Sequence, residues 1–298
     1  MNISHVLIIN KETKLDYAMV DYNEQNIDTL LHILKDERQD TKILLEEHDS
    51  QRKTLDQVTR LLQQHNINYT IIQKSQSKKN DYQNTDLIMP VGGDGTFLGA
   101  APYVEDERMF FGVNSYPQLS SGRFMAATKE TFEKKFSNFL AGDFEIESIP
   151  RLKATIRDSH ETYGYALNEI YVGKFARMDM ARYFIKANDT EEYQMTSGVI
   201  AALKEGAPAW QMNENRAQRF DGNEDKIQWV STTPKNQGRD YRMLNGFSDH
   251  IIIKSADYKL VVSIDSNKSD YLFTLKTGQE VLIEKSDRPI NRVSEVAL

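Results

Sequence analysis

Asp86-Leu87-Ile88-Met89-Pro90-Val91-Gly92-Gly93-Asp94-Gly95-Thr96 is the stretch that decides the fold. A short apolar run, suited to a strand covered on both faces, feeds directly into glycines at 92, 93 and 95. Phe97, Leu98 and Ala101 then follow at helical spacing, so a helix is predicted to begin near Thr96. Strand, glycine turn and helix in that order is the context in which a glycine-rich loop acquires chemical meaning. Glycine lets backbone N–H groups approach phosphate oxygens with no Cβ between them, and a helix N-terminus adds free donors and partial positive charge. A carboxylate in such a turn repels phosphate. Asp94 therefore needs a task, either taking a proton from an attacking hydroxyl or holding Mg²⁺. The plainer reading of the same residues is a strand–turn–helix corner with Asp94 as an N-cap.

Working outward toward the amino terminus, residues 6–9 read as a buried strand and residues 68–72 as another. Between them, Leu30, Leu31, Ile33 and Leu34 form one amphipathic stripe. Leu55, Val58, Leu61 and Leu62 predict a second helix over residues 51–65. Glu46-Glu47-His48-Asp49 reads as a solvated helix end, and residues 74–85 as a polar surface loop. On the carboxyl side, residues 109–114 form a further strand, which completes a parallel crossover unit. A helix follows at about 129–140. After about residue 145 the pattern changes to short strands at close spacing: 152–156, 163–172, 181–187, 250–253, 259–264, 271–275 and 280–283. Residues 213–245 are polar and read as a long loop. The expectation is an α/β N-terminal domain with a mostly parallel sheet over 1–145. A β-rich, antiparallel C-terminal domain follows over 146–298, its last residues free to pack back on the first.

Composition limits the function classes. In 298 residues, 39% are hydrophobic and 27% charged, a globular balance. A net charge of −7 argues against a protein that grips nucleic acid, which needs a basic face. The absence of cysteine excludes disulfides, thiolate metal sites and a cysteine nucleophile, and agrees with a cytoplasmic protein. The N-terminus has no signal-peptide pattern, and no apolar run approaches the ~20 residues of a membrane span, so no membrane partner is expected. The six histidines show no metal-protease spacing, no G-x-S-x-G elbow occurs, and no resident metal site is expected.

Gly-Gly-Asp-Gly-Thr at 92–96 resembles the loop shared by the NAD kinases and the diacylglycerol-type lipid kinases. Ala166-Leu167-Asn168-Glu169-Ile170 is similar to the Asn-Glu motif of the NAD kinases, far downstream of the loop. Lipid kinases place an Asn-Glu pair directly after the loop, where this chain has Phe97-Leu98-Gly99-Ala100-Ala101. Gly112-Val113-Asn114-Ser115-Tyr116-Pro117, then Ser121-Gly122, then Ser197-Gly198, then Gly206 with Ala209-Trp210, are similar to the divergent mitochondrial-type branch. The resemblance spans about residues 86 to 285.

It implies ATP-dependent phosphorylation of NAD at the adenosine ribose 2′-hydroxyl, with Mg²⁺ accompanying ATP and a homodimer or larger homo-oligomer. It assigns catalysis to Asp94, and nucleotide binding to Gly92, Gly93, Gly95, Thr96, Asn114, Asn168, Glu169, Ser197, Gly206, Ala209 and Trp210. One stretch departs from the family. Its second glycine loop is rich in Thr and Ser and ends in Ala-Tyr, whereas this chain reads Leu203-Lys204-Glu205-Gly206-Ala207-Pro208-Ala209-Trp210. Returning hydroxyls by Leu203→Thr with Ala207→Ser is then expected to improve use of the phosphate donor.

Bland readings stand beside these. Neighbours in a strand point to opposite faces, so Asn168 and Glu169 share a pocket only if the strand ends or bulges there; the bland reading is a strand end with one exposed carboxylate. Trp210 either stacks on a base or fills core. Two other functions remain open from sequence: a non-catalytic nucleotide-binding protein, motivated by the stripped second loop, and a lipid kinase.

Overall fold

Val6, Leu7, Ile8 and Ile9 are all fully buried, and the strand that carries them, β1 (His5–Asn10), lies inside a parallel sheet. The computed structural model describes residues 3–159, 161–176, 179–207, 216–234, 240–265 and 272–294. It divides into two units, Met1–Ser148 with Ile290–Leu298, and Ile149–Pro289.

In the first unit, β1 leads into α1 (Lys14–Asp21), α2 (Ile27–Asp36) and α3 (Thr41–Gln64), then β2 (Asn68–Gln73) and β3 (Leu87–Gly92). Then come α4 (Asp94–Ala100), the two-residue strands β4 (Met109–Phe110), β5 (Val113–Asn114) and β6 (Ala127–Thr128), α5 (Phe132–Ala141) and β7 (Ile146–Ile149). β1 pairs in parallel with β2 and β3, β3 with β4 and β5, and β5 with β6. The late strand Ile290–Val293 joins this sheet, parallel to β4. Phe132, Phe136 and Phe139 lie at i, i+4 and i+7 on α5 and pack their rings around Phe111 at 5.2–6.1 Å. Gly142, at φ +90°, then caps α5 in the left-handed conformation.

Three expectations for this unit change. The second helix is longer than residues 51–65, and Glu47 and His48 lie within it, only 5% and 3% exposed, rather than at a solvated end. The 74–85 segment holds two 3₁₀ turns, Lys74–Gln76 and Lys79–Tyr82. It buries Tyr82, whose ring stacks on Tyr103 at 5.1 Å, so it is no plain surface loop. The 109–114 strand breaks at Phe111-Gly112, which frees β4 for the late strand and β5 for β6.

The second unit contains β8 (Leu152–Ile156), β9 (Glu161–Ala166), β10 (Ile170–Gly173), β11 (Ala181–Ala187), β12 (Thr190–Thr196) and β13 (Gly198–Ala202). It continues with β14 (Ile227–Thr232), β15 (Asn245–Ser248), β16 (His250–Ser255), β17 (Lys259–Ile264), β18 (Leu272–Lys276) and β19 (Glu280–Lys285). They form two six-stranded sheets, ordered β15-β14-β13-β10-β17-β18 and β12-β11-β16-β19-β8-β9. Alternate residues point inward: Ala181, Tyr183, Ile185 and Ala187 from one sheet meet Ile170, Val172, Leu260, Val262 and Ile264 from the other in one apolar cluster. The expected sequence of a parallel α/β part followed by an antiparallel, β-rich part holds.

Residues 213–245 are not one long loop, because β14 runs through them, buried at every position. Gln228, Ser231 and Thr232 are satisfied inside. Gln228 Nε2 donates to the Gln218 carbonyl at 2.6 Å, and Ser231 Oγ donates to Gln194 Oε1 at 2.6 Å. Among the described residues, no helix is long and apolar enough to cross a membrane.

Candidate functional site

β3 ends at Gly92 and α4 begins at Asp94. A Cβ at Gly92 would lie 2.3 Å from Thr96 Oγ1 and 2.8 Å from Lys11 Cβ, so packing demands glycine there, and one at Gly93 would lie 2.5 Å from Ser120 Oγ, a side chain that would have to turn aside. At Gly95 a Cβ would meet nothing within 4 Å. Glycine there is not a packing requirement of the protein; it leaves the backbone bare toward open space, as close approach of a ligand requires.

The segment after β5 folds back over this turn. Asn114 pairs with Gly92 in the sheet, and the Ser115 N–H donates to the Gly92 carbonyl at 3.0 Å. Buried Asn114 donates through Nδ2 to the Ser120 carbonyl at 3.1 Å and accepts from the Tyr116 N–H at 3.2 Å. Gly122 sits at φ +63°, and a Cβ there would lie 2.4 Å from Asn114 Nδ2, so both backbone and space require glycine. Asp94 accepts from Ser121 Oγ and from the Phe124 N–H, each at 2.9 Å. Both carboxylate oxygens are thereby fixed, with lone pairs left for a further donor.

Beside the turn lies a cavity of about 280 Å³, lined by Lys11, Lys14, Glu47, Gly92, Gly93 and Asn114 among others. Lys11 Nζ donates to Glu47 Oε1. The other Glu47 oxygen is buried with no partner. The buried polar face of α3 continues here: Ser50 Oγ donates to the Ser115 carbonyl at 2.6 Å, and Gln51 Nε2 donates to Asn10 Oδ1 at 2.8 Å and the Val91 carbonyl at 3.0 Å. Lys11, Lys14 and Glu47 escaped the sequence reading. The available signal was position, since both lysines come directly after β1, at the carboxyl ends of the parallel strands where such sheets bind ligands.

In the second unit the strand does end at the Asn-Glu pair. β9 stops at Ala166 and β10 starts at Ile170, leaving Leu167, Asn168 and Glu169 outside the ladder. Asp265 accepts all three of their backbone N–H groups, from Leu167 at 2.9 Å, Asn168 at 2.7 Å and Glu169 at 3.1 Å. Burial first, and the Glu169 carboxylate second, push the Asp265 carboxyl up to about 7, against the pull of those donors. Gly206 packs on the same turn, since a Cβ there would lie 2.0 Å from the Asn168 carbonyl oxygen and 2.5 Å from that of Leu167. Ser197 is buried between β12 and β13, its carbonyl accepting from the Tyr171 hydroxyl at 2.6 Å. The structure thus gathers Gly92, Gly93, Gly95, Thr96, Asp94 and Asn114 in one unit, and Asn168, Glu169 and Gly206 in the other. Ala209 and Trp210 lie outside the described residues.

No family profile matches the chain. Over 319 aligned residues it is 22% identical to the mitochondrial NAD kinase 2 of Rattus norvegicus, covering 91% of this chain and 75% of that one. The chain is similar to the NAD kinases over most of its length. Two solved structures share its fold. An NAD kinase from Archaeoglobus fulgidus, in complex with ATP, has a TM-score of 0.63 at 18% identity, covering 97% of this chain and 93% of its own. The yeast NADH kinase complexed with NADH has a TM-score of 0.62 at 16% identity, covering 99% and 85%.

Against the NAD kinase pattern, the altered second loop now has a physical reading. Leu203 is 2% exposed in the sandwich core, and Ala207 is fully buried against Tyr171, Ile200 and Phe220. Hydroxyls at these two positions would enter apolar clusters, so the expected gain in donor use is withdrawn. Leu203→Thr with Ala207→Ser is expected instead to destabilise, by about 1–3 kcal/mol for each hydroxyl left unpaired. Urea denaturation checks this; a midpoint equal to the parent's would mean that both side chains turn outward.

Proposed function

We propose that this chain transfers the γ-phosphate of ATP to the 2′-hydroxyl of the adenosine ribose of NAD, giving NADP and ADP. The observation that carries the reading is Asp94, a carboxylate set in a glycine turn and held by Ser121 and Phe124 with lone pairs to spare. In this reading the 2′-hydroxyl gives its proton to Asp94 as its oxygen bonds to the γ-phosphorus, and the bond from that phosphorus to the bridging oxygen of ADP breaks. The open backbone at Gly95, with Gly92, Gly93 and Thr96, takes phosphate oxygens. Asn114 holds the covering segment in place, and Asn168 and Glu169 take ribose hydroxyls, with Ser197, Gly206, Ala209 and Trp210 assigned to the same nucleotide.

Mg²⁺ accompanies the donor and neutralises charge on its phosphates. The orphaned, buried Oε2 of Glu47 beside Gly92 and Gly93 fits such an ion. Among the described residues no group of three metal-ligating side chains exists, so Glu47 would share the ion with substrate phosphates rather than cage it. Lys11 and Lys14 take the remaining negative charge. Lys14→Ala is expected to raise KM for Mg-ATP about tenfold, as for one charge-assisted hydrogen bond, and to leave KM for NAD unchanged. Steady-state kinetics with each substrate varied checks this, and an unchanged KM for Mg-ATP would remove Lys14 from the donor site.

A homo-oligomer in the cytoplasm completes the reading. The oligomer rests on the family resemblance alone, and the compartment on the absence of cysteine, although the rat relative is named as mitochondrial. The test is incubation of the purified protein with NAD and Mg-ATP, the product being read with an NADP-specific dehydrogenase. NADP should form, and only when both substrates are present.

A further inference from the structure

Adjacent residues in an extended strand send successive N–H groups to opposite edges and successive side chains to opposite faces. Leu167, Asn168 and Glu169 do not follow that rule, because their three consecutive N–H groups converge on the single carboxylate of Asp265 at 2.7–3.1 Å. The Asp265 N–H in turn donates to the Glu169 carbonyl at 2.9 Å, so the two segments are tied in both directions. Asp265 directly follows β17, whose Ile264 pairs with Ile170 of β10, and this register delivers the carboxylate to the turn. It is 8% exposed and sits at φ +51°, a conformation that is uncommon outside glycine.

Three features make this an expensive way to close a turn: the buried charge, the left-handed backbone and the nearby Glu169 carboxylate. A turn that only had to reverse the chain could be closed by glycine or a neutral side chain. What the arrangement achieves is a non-extended backbone at the one place where two neighbouring side chains must act on the same ligand.

We propose that Asp265 is a positioning residue for NAD: by gathering the N–H groups of residues 167–169 it fixes the backbone from which Asn168 and Glu169 both reach the ribose. Asp265 itself touches no substrate. The proposal rests on the assignment of residues 168 and 169 to NAD made above.

Two variants test it. Asp265→Asn keeps one acceptor oxygen but turns an amide N–H₂ against one of the three donors. Asp265→Glu keeps the charge and moves both oxygens by one methylene. For either, KM for NAD and the calorimetric Kd for NAD should rise about tenfold or more, the loss of one hydrogen bond to a charged group. KM for Mg-ATP and kcat at saturating NAD should stay within about twofold. Hydrogen exchange at the amides of Leu167, Asn168 and Glu169 should quicken in both, which reports the turn directly. A purely structural role would instead lower kcat and both affinities together, through loss of folded protein.

A folded variant whose amides exchange fast but whose Kd for NAD equals the parent's overturns the proposal, as does a parallel loss for NAD and ATP in both variants. If the parent forms NADP and a variant keeps parental NAD affinity, only the positioning role fails. If the parent binds no NAD, the assignment of residues 168 and 169 fails and the positioning role fails with it.

Discussion

Asp94→Asn is expected to fold as the parent does and to lose about 100- to 10,000-fold in kcat for NADP formation, the usual cost of removing a general base. The fold should tolerate the change because both contacts have replacements. An amide oxygen can still accept from the Phe124 N–H, and an amide N–H₂ can donate to Ser121 Oγ. Removing a negative charge from a phosphate turn should not weaken donor binding, so KM for Mg-ATP should hold or fall while kcat collapses. Thermal denaturation and initial-rate kinetics on the same preparation check both halves. Activity within a few-fold of the parent would take Asp94 out of the reaction, and a large drop in the thermal midpoint would mean that the Ser121 and Phe124 contacts are structural first.

Gly206→Ala is expected to have the largest effect in the second unit. The added methyl would lie 2.0 Å from the Asn168 carbonyl oxygen and 2.5 Å from that of Leu167, and both obstacles are backbone. One of the two turns must move. Overpacking of this kind costs about 1–3 kcal/mol, and a displacement of about 1 Å at a binding group can cost about 100-fold in rate. KM for NAD should rise at least about tenfold, with a lowered thermal midpoint. Gly222→Ala is the control, since Gly222, at φ +76°, has open space around its Cβ position, so only its backbone conformation opposes the change. It should cost about 1 kcal/mol of stability and leave NAD affinity alone. A Gly206→Ala protein with parental midpoint and parental KM would show that residue 206 does not brace the Asn-Glu turn.

What could be read from the sequence was whatever is encoded locally. The apolar run before Gly92 and the stripe on α2 report burial through spacing, and each element is where that spacing put it. The break at residues 167–169 was foreseeable as a requirement, because two adjacent side chains cannot share a face in a continuous strand. What enforces the break was not foreseeable. Asp265 lies almost a hundred residues downstream in a polar stretch, and nothing local marks it. Buried polar structure was lost in the same way. Glu47 and His48 read as solvated because charge normally faces water, and Gln51 drew no reading of its own. Their partners, Lys11, Thr13 and Asn10, are fixed by the strand and loop that precede α1. β14 was taken for loop because Gln228, Ser231 and Thr232 are polar, although each is hydrogen-bonded in the interior. The second glycine loop misled for the opposite reason. A lost hydroxyl looked like a lost ligand, whereas Leu203 and Ala207 are held in apolar clusters.

Whether Asp94 and its glycine turn serve transfer of a phosphoryl group to NAD is tested most directly by following the phosphorus itself. The purified chain is incubated with NAD and Mg-ATP, and the products are followed by ³¹P NMR. The expected result is equimolar ADP and a new phosphomonoester resonance on the 2′ oxygen of the adenosine ribose, both absent with Asp94→Asn. Binding of NAD by calorimetry with no new phosphomonoester, in a protein that denatures cooperatively, would contradict the account and leave a nucleotide-binding protein without turnover.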